Sequence, residues 1–242
     1  MQADSLPYPL YCIAHRGGNS QHTENTLAAI ESCLRLDVDA IEIDTWMIGG
    51  ELLITHDRRL GRTLPGQGRL IDHHPEYLKA LEMSCGNRLA SLQDILELVG
   101  DKVALNIELK GPGCSQSVAE LLQRFTHEHQ QSLEQYVVSS FDHHQLYHFK
   151  QLLPEVRRGA LIEGIPLDYA ACCEELEAYS LHPNINFVNQ ALIDDACKRG
   201  LKTWVYTVNE MDDWQHMCEL GVDGVFTDVP QQLLQLNSKT KK

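Results

Sequence analysis

The sequence predicts an α/β fold: a TIM-type (β/α)8 barrel with a hairpin excursion and a small insertion after its second barrel strand. Three observations point there. Short apolar, β-rich runs alternate with stretches of helical period along the whole chain, the pattern of a parallel sheet joined by crossover helices. The length of 242 residues suits one barrel. No low-complexity segment or linker divides the chain, so residues 1–242 are read as a single domain with an insertion at roughly 46–90.

The β-rich runs fall at residues 11–14, 40–45, 52–55, 103–109, 136–139, 159–162, 185–188, 203–208 and 222–227. Helical stretches lie at 27–34, 92–99, 117–129, 142–153, 191–199 and 211–220, the first preceded by the capping pair Asn25-Thr26. Nine strands is one too many for an eight-stranded ring. Only Gly49-Gly50 separates the second run from the third, and a two-residue Gly-Gly link makes a hairpin, whereas parallel strands need a crossover of a dozen or more residues. The run at 52–55 is therefore the excursion. Residues 57–90, with Gly61, Pro65-Gly66, Gly68 and His73-His74-Pro75, read as an irregular insertion beside the active face.

Composition narrows the function. Twenty basic against 34 acidic side chains give a net charge of −14, which repels a polyanion and excludes nucleic acid as the expected partner. The basic cluster Lys239, Lys241 and Lys242 reads as a solubilising end. No run approaches the ~18 apolar residues of a membrane span, and the opening residues lack the pattern of a signal peptide. Eight cysteines without a C-x-x-C read as reduced thiols. The expectation is a cytoplasmic protein without stable membrane association, acting on a small molecule. Oligomeric state has no signature in the sequence.

Barrel sites collect at the carboxyl ends of the strands. The first strand ends in His15-Arg16-Gly17-Gly18. Glu42 and Asp44 flank Ile43 on the second, so the period of two places both carboxylates on one face. In the strand at 103–109, Val103, Leu105, Ile107 and Leu109 share one face, and Ala104, Asn106, Glu108 and Lys110 the other. Such a polar row in an otherwise buried strand is expensive unless it has partners. Glu42, Asp44 and Glu108 together form a hard, all-oxygen donor set suited to one divalent cation, Mg²⁺ or Ca²⁺. Arg16 and Lys110 add an anion site, most simply for phosphate. His15 and His56, at strand ends, titrate in the right range to take a proton from a nucleophile and give one to a leaving alkoxide. Together these features describe metal-assisted cleavage of a phosphodiester.

The set His15-Arg16-Gly17, Glu24-Asn25-Thr26, Glu42-Ile43-Asp44, His56-Asp57, Glu108-Leu109-Lys110, Ser139-Ser140-Phe141, Tyr206-Thr207-Val208-Asn209 and Gly221-Val222-Asp223-Gly224 with Thr227-Asp228 resembles the glycerophosphodiester phosphodiesterases. The resemblance runs in order over roughly residues 11 to 230. It implies hydrolysis of glycerophosphodiesters such as glycerophosphocholine or glycerophosphoethanolamine to sn-glycerol 3-phosphate and an alcohol. It also implies His15 and His56 as the acid–base pair, Glu42, Asp44 and Glu108 as metal ligands, and Arg16 and Lys110 as phosphate grips. Tyr206 stands where the family often has Trp, and is expected to wall the substrate. Thr23 replaces the family's Pro before Glu-Asn-Thr, a change confined to the local turn.

Two alternatives belong beside this reading. A lysophospholipase D or sphingomyelinase-D-like enzyme would share the histidines and carboxylates but needs an apolar surface for an acyl chain, and the insertion, with Arg58, Arg59, Arg62 and Arg69, is polar. A non-catalytic glycerophosphate-binding barrel would not need both histidines. Trp204 is expected to fill the barrel, His143-His144 to start a helix, and Asn189 to end a strand.

Overall fold

The computed structural model describes residues 5–18 and 22–240; the expectations for the first four residues and for Lys241 and Lys242 lie outside them. Among the described residues nine strands form one sheet: β1 (Tyr11–Ala14), β2 (Ala40–Ile48), β3 (Glu51–Ile54), β4 (Ala104–Leu109), β5 (Tyr136–Ser140), β6 (Arg157–Ile162), β7 (Ser180–Pro183), β8 (Lys202–Val205) and β9 (Gly224–Thr227). The order β1-β9-β8-β7-β6-β5-β4-β2, with β1 also paired to β2, closes eight parallel strands into a ring. β3 pairs antiparallel with β2 outside that ring, through a turn in which Gly49 (φ 55°) and Gly50 (φ 92°) both take the left-handed region. The hairpin excursion is as the Gly-Gly link requires.

Among the described residues nine helices accompany the strands: α1 (Leu27–Cys33), α2 (Pro75–Ala80), α3 (Leu92–Val99), α4 (Cys114–His129), α5 (His143–Leu152), α6 (Cys172–Leu176), α7 (Gln190–Lys198), α8 (Met211–Leu220) and α9 (Pro230–Thr240). Their starts are chemical. Thr26 accepts from the Ala29 amide at α1, and Ser91 with Asp94 completes a capping box at α3. The outward faces of the strands and the inward faces of the helices share one apolar layer, to which Ile41, Ile43, Leu105 and Ile107 belong. The insertion has a core of its own in which Trp46, Ile48 and Leu53 meet Leu60, Leu64, Leu70 and Leu78. It is less irregular than its glycines and prolines suggest.

One strand is displaced from its expected position. The seventh is Ser180–Pro183, and the run at 185–188 contributes only a single 3-10 turn, Ile185–Phe187. Asn184 causes that turn by accepting from the Asn186 amide at 2.9 Å. Ser180 and His182 look unfit for a buried strand, but they are paired inside the barrel, Ser180 Oγ lying 2.7 Å from His182 Nε2, while His182 Nδ1 is buried without a partner. Asn189 correspondingly caps α7, accepting from the Leu192 amide, and is not a strand end.

The barrel interior is layered. Below the carboxyl-end mouth, Ile13, Ala40, Val137, Trp204 and Phe226 pack together. Trp204 stacks on Tyr11 (centroids 5.3 Å apart) and on His182 (5.2 Å), filling the barrel as expected. Gly159 makes room for the His182 ring, since a Cβ there would lie 2.3 Å from Cε1.

Candidate active site

His15, Arg16, Glu42, Asp44, His56, Glu108 and Lys110 arrive at one end of the ring, because alternation aims every second side chain inward and strand ends place them at the mouth. β1 runs straight into the turn His15–Gly17, where Arg16 sits at φ 54° and Gly17 at φ 82°. A Cβ on Gly17 would meet Ile30 Cδ1 at 2.9 Å, so glycine lets this turn lie against α1. The strain at Arg16 is held by two backbone bonds: its amide donates to Glu42 Oε2 at 2.8 Å, and its carbonyl accepts from the Asn25 amide at 2.9 Å.

Glu42, Asp44 and Glu108 offer carboxylate oxygens that all lie within 4.8 Å of one another, and all three residues are buried. Neighbouring register produces this: Asp44 on β2 pairs with Glu108 on β4. Lys110 Nζ lies 2.9 Å from Glu108 Oε1 and 3.6 Å from Asp44 Oδ1; Arg16 Nε lies 3.3 Å from Asp44 Oδ2. Asn25 clamps Asp44 with both ends of its amide, donating to Oδ2 at 2.8 Å and accepting from the Asp44 amide at 3.1 Å.

The cations do not balance this charge. Three carboxylates face Arg16 and Lys110, and Arg16 is shared with Glu24 at 2.9 Å. Burial, then repulsion from Asp44 and Glu108, pushes the Glu42 carboxyl well above its usual range. Burial and Asp44 raise Glu108 to about 7. Asp44 goes the other way: burial opposes its charge, but Lys110, Arg16 and the two histidines outweigh that and hold it below the ordinary range. Glu42 Oε1 is buried without a hydrogen-bond partner. An orphaned carboxylate oxygen in an all-oxygen cluster with excess negative charge fits a hard divalent cation.

The two histidines are both oriented through Nδ1. Asp228 Oδ1 lies 2.8 Å from His15 Nδ1, and Asp228 is itself fixed by Asn209, which donates to Oδ2 at 2.8 Å and accepts from the Asp228 amide at 2.8 Å. Asp57 Oδ1 lies 3.2 Å from His56 Nδ1. A carboxylate can only accept, so each ring donates through Nδ1. Burial, together with repulsion from Arg16 and Lys110, lowers the His56 pKa, against the pull of Asp44 and Asp57.

His15, Arg16, Glu42, His56, Glu108, Lys110 and Tyr206 all line one cavity of about 430 Å³; Asp44 lies buried behind it. Phe141 and Tyr206 form one wall, edge to face with centroids 5.7 Å apart. Tyr206 spends its hydroxyl on the Ile162 carbonyl at 3.0 Å and presents its ring. Lys110 Nζ stands 5.6 Å from the Phe141 centroid. His143 does not join the site; it bonds the Leu161 carbonyl at 3.0 Å. Sequence reasoning gave no role to Asp228, Asn209, Asp57 or Arg62. The motifs contained three of them, but partnership with a histidine 213 residues away has no local signal.

The family model described as the glycerophosphoryl diester phosphodiesterase family matches residues 15–232. A glycerophosphodiester phosphodiesterase of Caldanaerobacter subterraneus is 33% identical over 241 residues, covering 94% of this chain and 97% of that protein. A human lysophospholipase D is 24% identical over 264 residues, covering 91% of this chain and 84% of that one. Among solved structures, a phosphodiesterase of Oleispira antarctica in complex with the product sn-glycerol-3-phosphate superposes with a TM-score of 0.86 at 28% identity, over 96% of this chain and 97% of that one.

Proposed function

The chain belongs to the glycerophosphoryl diester phosphodiesterase family, and on that premise we propose that it hydrolyses glycerophosphodiesters of small soluble alcohols to sn-glycerol 3-phosphate and the free alcohol. Glycerophosphocholine and glycerophosphoethanolamine are the proposed substrates, Mg²⁺ or Ca²⁺ the proposed cation, and the cytoplasm the proposed location. The proposed catalytic unit is one barrel domain over residues 1–242, the insertion at 46–90 included. The single observation that carries the reading is the buried carboxylate triad, with its orphaned Glu42 oxygen, set between two aspartate-held histidines in one cavity.

Glu42, Asp44 and Glu108 would hold the cation, which supplies Lewis-acid charge at the phosphoryl oxygens. Arg16 and Lys110 grip the remaining phosphate charge. His15, its Nδ1 proton fixed by Asp228, accepts the nucleophile's proton at Nε2. His56 donates a proton to the leaving alcohol; the diester's negative charge, arriving beside Arg16 and Lys110, offsets their repulsion and favours the imidazolium. The nucleophile is either water, which gives the products in one displacement, or the substrate's neighbouring hydroxyl. The hydroxyl expels the alcohol and leaves a cyclic phosphate, which water then opens to sn-glycerol 3-phosphate with the proton roles of the two histidines exchanged. Release of sn-glycerol 3-phosphate from glycerophosphocholine, abolished by EDTA and restored by Mg²⁺ or Ca²⁺, is the expected assay result. No release from any glycerophosphodiester in the presence of either ion would overturn the reading.

A second reading has one observation in its favour. Phe141, Ile165, Leu167 and Phe187 are exposed on the segments after β5, β6 and β7. A monoacyl substrate would lay its chain there. If it does, Leu167→Asp lowers turnover of lysophosphatidylcholine and spares glycerophosphocholine; equal rates on both substrates count against it.

A further inference from the structure

Arg62, from the insertion, touches the partners of both a histidine and a phosphate grip. Its Nε donates to Asp57 Oδ2 at 2.7 Å and its Nη2 to Asp57 Oδ1 at 2.9 Å. The same guanidinium reaches Glu24, Nη2 to Oε1 at 2.5 Å and Nη1 to Oε2 at 3.3 Å. Asp57 Oδ1 is the oxygen facing His56 Nδ1, and Glu24 Oε1 is the oxygen paired with Arg16 Nη1. Thr63 Oγ1 adds a weak bond to Asp57 Oδ2 at 3.4 Å.

Each contact has a physical consequence. Asp57 and Glu24 are carboxylates drawn toward one point, and without a cation between them they repel. The forked guanidinium fixes both planes at once, which an ammonium cannot do. With Asp57 fixed, the His56 ring has one orientation; with Glu24 fixed, Arg16 is held by a carboxylate on one side and Asp44 on the other. The arrangement is elaborate for a stabilising ion pair, since Arg62 itself is 53% exposed and an isolated surface pair adds little to stability. Arg69, in the same insertion, makes such a pair with Asp72 and goes no further.

We propose that Arg62 is a positioning residue for the phosphodiesterase reaction: it sets the orientation of His56 through Asp57 and of Arg16 through Glu24, so the insertion finishes an active site whose other parts come from the barrel. This rests on the reading of His56 and Arg16 given above.

The test is steady-state kinetics of R62A, R62K and the control R69A with glycerophosphocholine, together with thermal midpoints. R62A lowers kcat about 10- to 100-fold, in the range seen when a supporting residue around a reactive group is lost, with KM within threefold. R62K recovers part of that rate. Because the site is open to solvent, millimolar guanidinium raises R62A turnover at least fivefold, an effect that loss of folded protein would not show. R69A keeps wild-type kinetics. The inference is overturned by R62A within twofold of wild type, by a rise in KM alone, or by a loss that tracks the thermal midpoint and resists guanidinium. Wild-type protein inactive on every glycerophosphodiester would instead remove the underlying reading of the site.

Discussion

The barrel interior holds two neighbouring layers built on opposite principles. At the mouth sit Glu42, Asp44, Glu108, Arg16 and Lys110, all ionisable and mostly buried. Deeper in the ring, on β1, β7, β8 and β9, the interior is Tyr11, His182, Trp204 and Phe226 in ring-to-ring contact. Around His182 the lower layer is tightly packed, to the point that a Cβ on Gly159 would meet the ring. The upper layer carries an orphaned carboxylate oxygen and like charges within 4.8 Å. Burying such charge works against folding, so the upper layer is explained by what it binds and turns over, and the lower one by stability. The two should separate under mutation.

The largest effect falls on the upper layer. His56→Ala or His15→Ala is expected to lower kcat about 100- to 10,000-fold while moving the thermal midpoint little, measured by product release and calorimetry on the same samples. If His56 is the acid, its loss is smaller on a diester with a nitrophenolate leaving group than on glycerophosphocholine; equal loss on both reassigns it. Asp228→Asn, which can no longer accept unambiguously from His15 Nδ1, should cost about 10- to 100-fold in kcat/KM, and a pH–rate profile of unchanged height would contradict the orienting role.

Changes in the lower layer sharpen the contrast from the other side. Gly159→Ala drives a methyl into the His182 ring and should destabilise by about 1–3 kcal/mol, seen in denaturant midpoints, with kcat per folded molecule retained. His182 yields a pH test. Full burial pushes its pKa down to about 3 from an ordinary 6.5. The unfolded chain therefore binds the proton first as pH falls, and the stability present above pH 6.5 is lost progressively toward pH 3. By pH 5 the loss from this group is about 2 kcal/mol. His182→Gln should flatten that slope relative to wild type; identical slopes would show the ring is not held neutral. The smallest effect is that of Asn25→Ala, which frees Asp44 and should weaken cation affinity about tenfold, read by calorimetric titration.

The same contrast explains what could be read from the sequence. The alternation of Asn106, Glu108 and Lys110 with leucine and isoleucine placed the upper layer on one face, and Gly49-Gly50 placed β3 outside the ring, because both are local patterns. The seventh strand was misplaced because Ser180 and His182 are polar, and only their mutual hydrogen bond makes them fit for burial. Asp228 and Arg62 were invisible as partners for a related reason. Each acts on a residue brought to it by tertiary folding, His15 from 213 positions away and Glu24 from 38. Residues at the barrel mouth announce themselves by type and strand position, while the residues that hold them do so only by contact.

A cation site that folding merely tolerates loses affinity, and not stability, when one of its carboxylates is neutralised. Calorimetric titration of Mg²⁺ and Ca²⁺ into EDTA-stripped wild type and Glu42→Gln, with thermal midpoints in chelator, tests that most directly. One cation per wild-type chain, at least a hundredfold weaker binding in Glu42→Gln, and a midpoint in chelator equal to or above wild type is the predicted result. Wild-type cation affinity in Glu42→Gln, or a variant that loses stability in chelator, would contradict it.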